Sequence, residues 1–103
     1  MKIFDLNEMT AAPYELRGRN VFYQANEFKT RIIELPPGGQ IPTCEMATYV
    51  IFYVLDGEVK VTVNKELAIL KKNQCLIAEP STFSMQTDNG VKIMGIQIAK
   101  KES

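Results

Sequence analysis

The chain has 103 residues, of which 46% are hydrophobic and 23% are charged, as is typical of one globular domain. Twelve basic and twelve acidic residues cancel, which argues against a field that would attract nucleic acid or an anionic membrane. The sequence has no histidine, which excludes an imidazole base and any metal site with an imidazole ligand.

The start of the chain carries no charged-then-apolar leader, and no apolar run reaches membrane length. Two cysteines are too few for a disulfide framework, so we expect a cytoplasmic protein with reduced thiols. Residues 1–27 are expected to form an N-terminal strand or dimer arm, followed by a barrel over 28–103, in one domain overall. At most a short turn is predicted near 7–12 or 14–17, because no stretch keeps a helical period.

Alternation of side-chain character indicates β structure from about residue 19 onward. Val59, Val61 and Val63 give the clearest example, since the residues between them are polar and the strand has one dry face. The same period of two occurs over 21–24, 32–35 and 91–98, with a register change predicted near Gly95.

Turn signals separate the predicted strands. Asp56-Gly57 predicts a tight hairpin between 49–55 and 58–63, and Asn64-Lys65 and Asn89-Gly90 are further turn candidates. Many short strands joined by turns are typical of an all-β sandwich or a small antiparallel β-barrel.

The segments 35–58 and 73–89 resemble the two motifs of the cupin superfamily. Gly38 and Gly57 hold the glycine positions of the first motif, and Pro80 holds the proline position of the second. The similarity covers roughly residues 28–98 and implies a double-stranded β-helix of the jelly-roll type.

The positions that carry metal ligands in that family are all changed here. Cys44 and Met46 stand where two histidines would be, and Val50 stands where the glutamate would be. The third histidine position falls on Met85, or on Ser84 in an alternative register. The usual His/Glu metal site is therefore missing, and we expect no metal cofactor of that kind.

The even spacing of Cys44, Met46 and Val50 directs their side chains to one side if they share a regular strand. Facing inward, they would line the barrel, where small-molecule binding in a largely apolar interior is the leading hypothesis. The candidate pocket residues are Cys44, Met46, Val50, Phe52, Met85 and Ser84.

Two alternatives remain open at this point. Cys44, Met46 and Met85 are soft donors that suit Cu(I) or another thiophilic ion, although such residues also commonly fill apolar cores. A metal-independent, isomerase-like enzyme would need a buried acid–base pair, and a nucleophilic Cys44 would need a nearby cation such as Arg31.

Cupins of this size commonly form homodimers, so the resemblance implies a homodimer with residues 1–30 as candidates for the seam. The apolar residues Ile3, Phe4, Leu6 and Met9 fit that role. They could equally cap the barrel of their own subunit. No nucleic-acid or membrane partner is expected.

Overall fold

The computed structural model describes residues 1–100, which fold into one 3-10 helix and eight strands. The elements are the 3-10 helix Tyr14–Asn20 and the strands β1 (Val21–Gln24), β2 (Phe28–Leu35), β3 (Gln40–Met46), β4 (Tyr49–Val63), β5 (Glu66–Lys71), β6 (Cys75–Ala78), β7 (Ser81–Gln86) and β8 (Val91–Ile98). The predicted small antiparallel all-β fold is confirmed. The last three residues of the predicted barrel range, 101–103, lie outside the described residues. Within residues 1–100 no helix is long and apolar enough to cross a bilayer.

The strand β4 connects the two parts of the curled sheet. Its first half pairs with β8 and β6, and its second half pairs with β7 and β5. The hydrogen-bonded order is β1-β2-β8-β4-β7-β3. Each half of β4 buries alternate residues, with the exposed residues 56–58 between the halves. Val54 in the first half and Val61 in the second half belong to one core, and both are fully buried.

The predicted hairpin at Asp56-Gly57 is wrong. The chain does not reverse there: β4 runs from Tyr49 to Val63, with an irregularity between Val54 and Asp56 where it changes partners. Gly57 has a φ of +85°, and a Cβ atom at this position would collide with the carbonyl oxygen of Gly90. The glycine is therefore needed for the local bend and the close approach of two backbones.

The turn predicted at Asn64-Lys65 is confirmed, and Asn89 lies in a bend between β7 and β8. Asn64 and Lys65 have φ values of +47° and +73°, which a two-residue hairpin between β4 and β5 requires. Gly90, with a φ of +100°, precedes β8.

The register change predicted near Gly95 is also wrong. β8 pairs with β2 without interruption from Val91 to Ile98, and Gly95 keeps the inward phase of Ile93. Met94 and Ile96 lie on the opposite, outer face. The prediction failed because the outward-facing Met94 and Ile96 are apolar too, so this part of the sequence shows no alternation of polar and apolar residues.

Cys44 and Met46 do not share a regular strand with Val50, so the condition for the even-spacing argument is not met. Both lie on β3, which ends at Met46, while Val50 lies on β4 beyond a bend at 47–48. A bulge between Ile41 and Cys44 adds one residue to β3 relative to β7. It turns Ile41 and Cys44 to the same inner side although their spacing is odd.

The N-terminal segment lies on the barrel of its own subunit. The Lys92 ammonium donates to the carbonyl oxygen of Met9 at 2.6 Å, and the Asn20 side chain exchanges two hydrogen bonds with the Ala12 backbone at 2.7 and 3.0 Å. The ring of Phe4 packs edge-on against Phe22 with centroids 5.0 Å apart. These contacts place the 3-10 helix against β2 and β1.

Candidate functional site

The barrel interior holds a cavity of about 60 Å³ between β2, β3, β4, β7, β8 and the 3-10 helix. Since a water molecule occupies roughly 30 Å³, this is space for about two waters. Its lining residues are Tyr14, Arg17, Arg31, Ile33, Ile41, Cys44, Met46, Phe52, Phe83, Gly95 and Gln97.

Packed side chains fill much of the rest of the interior. Val54, Val61 and Ile93 are completely buried, and Phe52 packs against Phe83 with ring centroids 5.3 Å apart. The cavity lies beside the Phe52–Phe83 pair, and both rings form part of its wall. Gly95 contributes to it directly, because an inward-facing glycine leaves the volume of a side chain empty.

The structure brings three of the six predicted pocket residues to this cavity: Cys44, Met46 and Phe52. Val50 and Met85 are buried in the core beside it, each 2% exposed, and neither lines it. Ser84 points away from its buried neighbours Phe83 and Met85, toward grooves on the outer surface. Of the two registers for the third ligand position, only Met85 faces inward.

A chain of hydrogen bonds crosses the cavity wall. Arg31 on β2 donates from Nη2 to Oε1 of Gln97 on β8 at 2.9 Å. The Gln97 amide nitrogen donates in turn to the sulfur of Met46 at 2.8 Å. Both polar ends of Gln97 are thereby used, and these two hydrogen bonds fix the orientation of the side chains of Arg31 and Met46.

Two residues of the 3-10 helix cover the cavity on one side. The Arg17 guanidinium lies over the Tyr14 ring, with its central carbon 4.6 Å from the ring centroid. Arg17 also donates from Nη1 to the Tyr14 carbonyl oxygen at 3.4 Å. Tyr14 packs against the core while Arg17 is exposed, so this pair forms the boundary between cavity and solvent.

Burial and charge shift the pKa values of two titratable groups at the cavity, Cys44 and Arg31. Burial raises the pKa of the Cys44 thiol, and the nearby positive charge of Arg17 offsets only part of that rise. Burial also lowers the pKa of Arg31, and Arg17 lowers it further by repulsion. A thiol with a raised pKa stays protonated at neutral pH, which disfavours a nucleophilic role for Cys44.

The residues present do not fit the metal that the fold family usually holds. Cys44, Met46, Val50 and Met85 provide neither imidazole nor carboxylate, and residues 1–100 contain no cluster of three His, Cys, Asp or Glu side chains. For a soft metal, Cys44 and Met46 line one cavity, but Met85 does not, and the Met46 sulfur already accepts a hydrogen bond. Cu(I) binding stays a prediction.

The mostly apolar run 74–78 predicts that Cys75 is a core residue of a strand, and this prediction is correct only for the strand. Cys75 begins strand β6 as expected, but its side chain is exposed and is not part of the core. Sequence reasoning also missed Tyr14 and Arg17, because the segment that carries them shows no period. Arg31 could have been found, since it shares the alternation of Ile33 and Leu35.

Comparisons with known proteins give a consistent result. No protein-family model matches the chain, and no curated protein matches it either. The solved structure of a conserved protein of unknown function from Streptococcus pyogenes superposes with a TM-score of 0.77 at 12% identity, over 98% of this chain and 90% of the other. A cupin superfamily protein from Desulfitobacterium hafniense has a TM-score of 0.73 at 14% identity, covering 78% of this chain and 74% of the other.

The cupin domain of Cnp3 from Schizosaccharomyces pombe is also similar, with a TM-score of 0.71 at 21% identity over 78% of this chain. The match spans 61% of the length of that domain structure. At these identities the likeness concerns the backbone, and it agrees with the glycine, proline and strand pattern described above. The chain therefore has the cupin fold.

Proposed function

We propose that the protein binds a small molecule in the cavity beside Cys44 and Met46. The observation that carries this proposal is the inward-facing Gly95. A Cβ atom there would meet Ile33 and Phe52 side-chain carbons at 3.5 Å and Arg31 Cγ at 3.6 Å, which are ordinary contact distances. An alanine would therefore fit without strain, and the missing methyl group helps to keep the space open.

The composition of the wall supports binding over catalysis. Apolar and sulfur-containing side chains form most of the wall, and the polar groups of Gln97 and Arg31 converge on one side, as in typical ligand pockets. Among the lining residues there is no carboxylate to pair with a base. An isomerase-like mechanism would need such an acid–base pair.

The size of the cavity limits the ligand. Drug-sized ligands occupy pockets of about 300–1,000 Å³, so a cavity of about 60 Å³ accepts only a few heavy atoms. A larger ligand requires Tyr14 and Arg17 to move outward. The 3-10 helix is suited to such a movement, because it is short and is interrupted at Leu16, where φ is −109° and ψ is 28°.

A larger depression of about 940 Å³ lies elsewhere on the surface, where residues 11–13 meet Gly57 in β4 and Gly90 before β8. It is open to solvent and is lined by many charged side chains. One of them, Lys92, already pairs with Glu34 at 3.7 Å and with the backbone of the N-terminal segment. We therefore assign ligand binding to the cavity beside Cys44 and Met46.

The proposal is tested by filling the cavity. A fragment library is screened by ligand-observed NMR against the parent chain, Gly95→Ala and Ser84→Ala. We expect fragments that bind the parent and Ser84→Ala but lose binding to Gly95→Ala, since Ser84 faces the outer surface. Equal binding to all three proteins would place the ligand outside the cavity and overturn the proposal.

A further inference from the structure

We infer that the ligand of this cavity is an organic anion, whose acidic group is held between Arg17 and Arg31. This inference rests on the proposed function, because it names the chemical class of the same ligand. It also explains why two arginines approach each other at the edge of an apolar cavity.

The first argument is the unbalanced charge of Arg31. Its guanidinium is half-buried on the inner side of β2, and the hydrogen bond to neutral Gln97 uses one of its five N–H donors. Within residues 1–100 the ion pairs are Lys60–Asp88 and Lys92–Glu34, and neither involves an arginine. A partly buried charge without a counterion is costly, and it is relieved by a bound anion.

The second argument is the position of Arg17. It lines the cavity together with Arg31, and the two also share an open groove of about 560 Å³ on the outer surface. Its positive charge is near enough to affect Arg31. Each guanidinium group presents a planar fork of N–H donors that matches the two oxygens of a carboxylate, and both groups line the same cavity and groove.

The groove beside the two arginines is positive as a whole. Arg17, Arg19 and Arg31 line it, against a single acidic residue, Glu15. Glu15 forms no ion pair with these arginines. An anion arriving from solvent therefore meets a positive surface before it reaches the cavity.

The geometry of the cavity also indicates the chemical character of the rest of the ligand. A carboxylate held at Arg17 and Arg31 lies at the entrance, where exposed and half-buried residues meet. The space beyond is lined by Cys44, Met46 and Phe52 and takes a short apolar tail. The ligand class is accordingly a small carboxylic acid with a hydrocarbon tail of a few carbons.

Butyrate and its neutral analogue butyramide test the charge requirement, because they have nearly the same shape. Binding to the folded chain is measured by chemical-shift titration of ¹⁵N-labelled protein. We expect butyrate to bind more tightly than butyramide. The Arg17→Gln and Arg31→Gln variants should each weaken butyrate binding about tenfold, the loss expected for a charge-assisted hydrogen bond. Butyramide binding should be unchanged.

Lys65→Gln is the matched control, because it removes the same charge at the β4–β5 hairpin, away from the cavity. Arg17 is exposed, so its variant tests the inference even if Arg31→Gln fails to fold. If butyramide binds as tightly as butyrate, or if Lys65→Gln weakens butyrate as much as Arg17→Gln, the anion class is wrong while the cavity remains a binding site. If neither probe binds the parent chain, this inference is overturned, and the fragment screen with Gly95→Ala decides the proposed function separately.

Discussion

Arg31 and Gln97 are joined by a hydrogen bond of 2.9 Å between β2 and β8, although they lie 66 positions apart in the sequence. The bond holds the guanidinium at the cavity without neutralising it. Gln97 thus orients the positive charge of Arg31 and leaves that charge free to attract an anion.

A carboxylate at position 97 should satisfy Arg31 permanently. We expect Gln97→Glu to keep the fold and to change the free energy of unfolding by at most about 1 kcal/mol, because the ion pair gained with partly exposed Arg31 is offset by the lost hydrogen bond to the Met46 sulfur. The same variant should lose butyrate binding, since the internal carboxylate competes with the ligand. Chemical denaturation and NMR titration measure the two effects. Tight butyrate binding by Gln97→Glu would contradict this prediction.

The close approach of Gly57 to Gly90 predicts a large effect on stability. Gly57→Ala adds a methyl group against the Gly90 carbonyl and forces alanine to a φ of +85°. We expect a loss of about 3 kcal/mol or more in the free energy of unfolding. Gly18→Ala is the matched control, because nothing lies within 4 Å of its Cβ position. Urea denaturation of both variants checks the prediction, and similar midpoints for the two would refute it.

The two cysteines should react differently with iodoacetamide. Cys75 is exposed, whereas burial raises the pKa of the Cys44 thiol and reduces its thiolate fraction. The folded state therefore holds the Cys44 proton more tightly than the unfolded state. Its contribution to stability is present below the unfolded pKa and is lost as pH rises through the folded pKa.

We expect peptide mapping by mass spectrometry to show Cys75 modified first at neutral pH. The rate of modification of Cys44 should keep increasing with pH into the alkaline range, at pH values where the rate for an ordinary thiol has already levelled off. The urea-unfolded chain is the control, where both cysteines should react at similar rates. Rapid modification of Cys44 in the folded chain at neutral pH would show that its thiol is activated instead.

The homodimer expected from the family resemblance stays a prediction, with residues 1–30 at its seam. Ile3 is 88% exposed on the folded subunit and is available to such a contact. We expect sedimentation velocity at micromolar concentration to show a dimer, and Ile3→Lys to shift it toward monomer. Leu67→Lys on β5, which changes another exposed apolar residue, should have no effect. A monomeric parent chain would reject the dimer.

Most strands could be predicted from the sequence, because a half-buried strand alternates visibly. Val59 and Val61 on β4 are examples, since the polar Lys60 separates them and only the valines are buried. The error at Asp56-Gly57 has a physical reason. This dipeptide permits a positive φ whether the chain reverses or merely bends, and the choice depends on distant strands that a local pattern does not contain.

The site was predictable in part. Cys44 and Met46 were found through the resemblance, and both line the cavity. Arg31 had the right phase on β2 but was treated only as a possible partner for a thiol. Tyr14 and Arg17 come from a segment without periodicity, and their place over the cavity depends on tertiary contacts such as Lys92 with Met9.

The continuity of β4 affects how the chain could be cut or extended. From the sequence, Asp56-Gly57 resembles a loop tip, where insertions and chain breaks are usually tolerated. In the fold it is the middle of a strand, and a break there would separate the pairing with β8 from the pairing with β7. Circular permutation or peptide insertion should therefore be directed to Asn64-Lys65, where the backbone reverses at the surface.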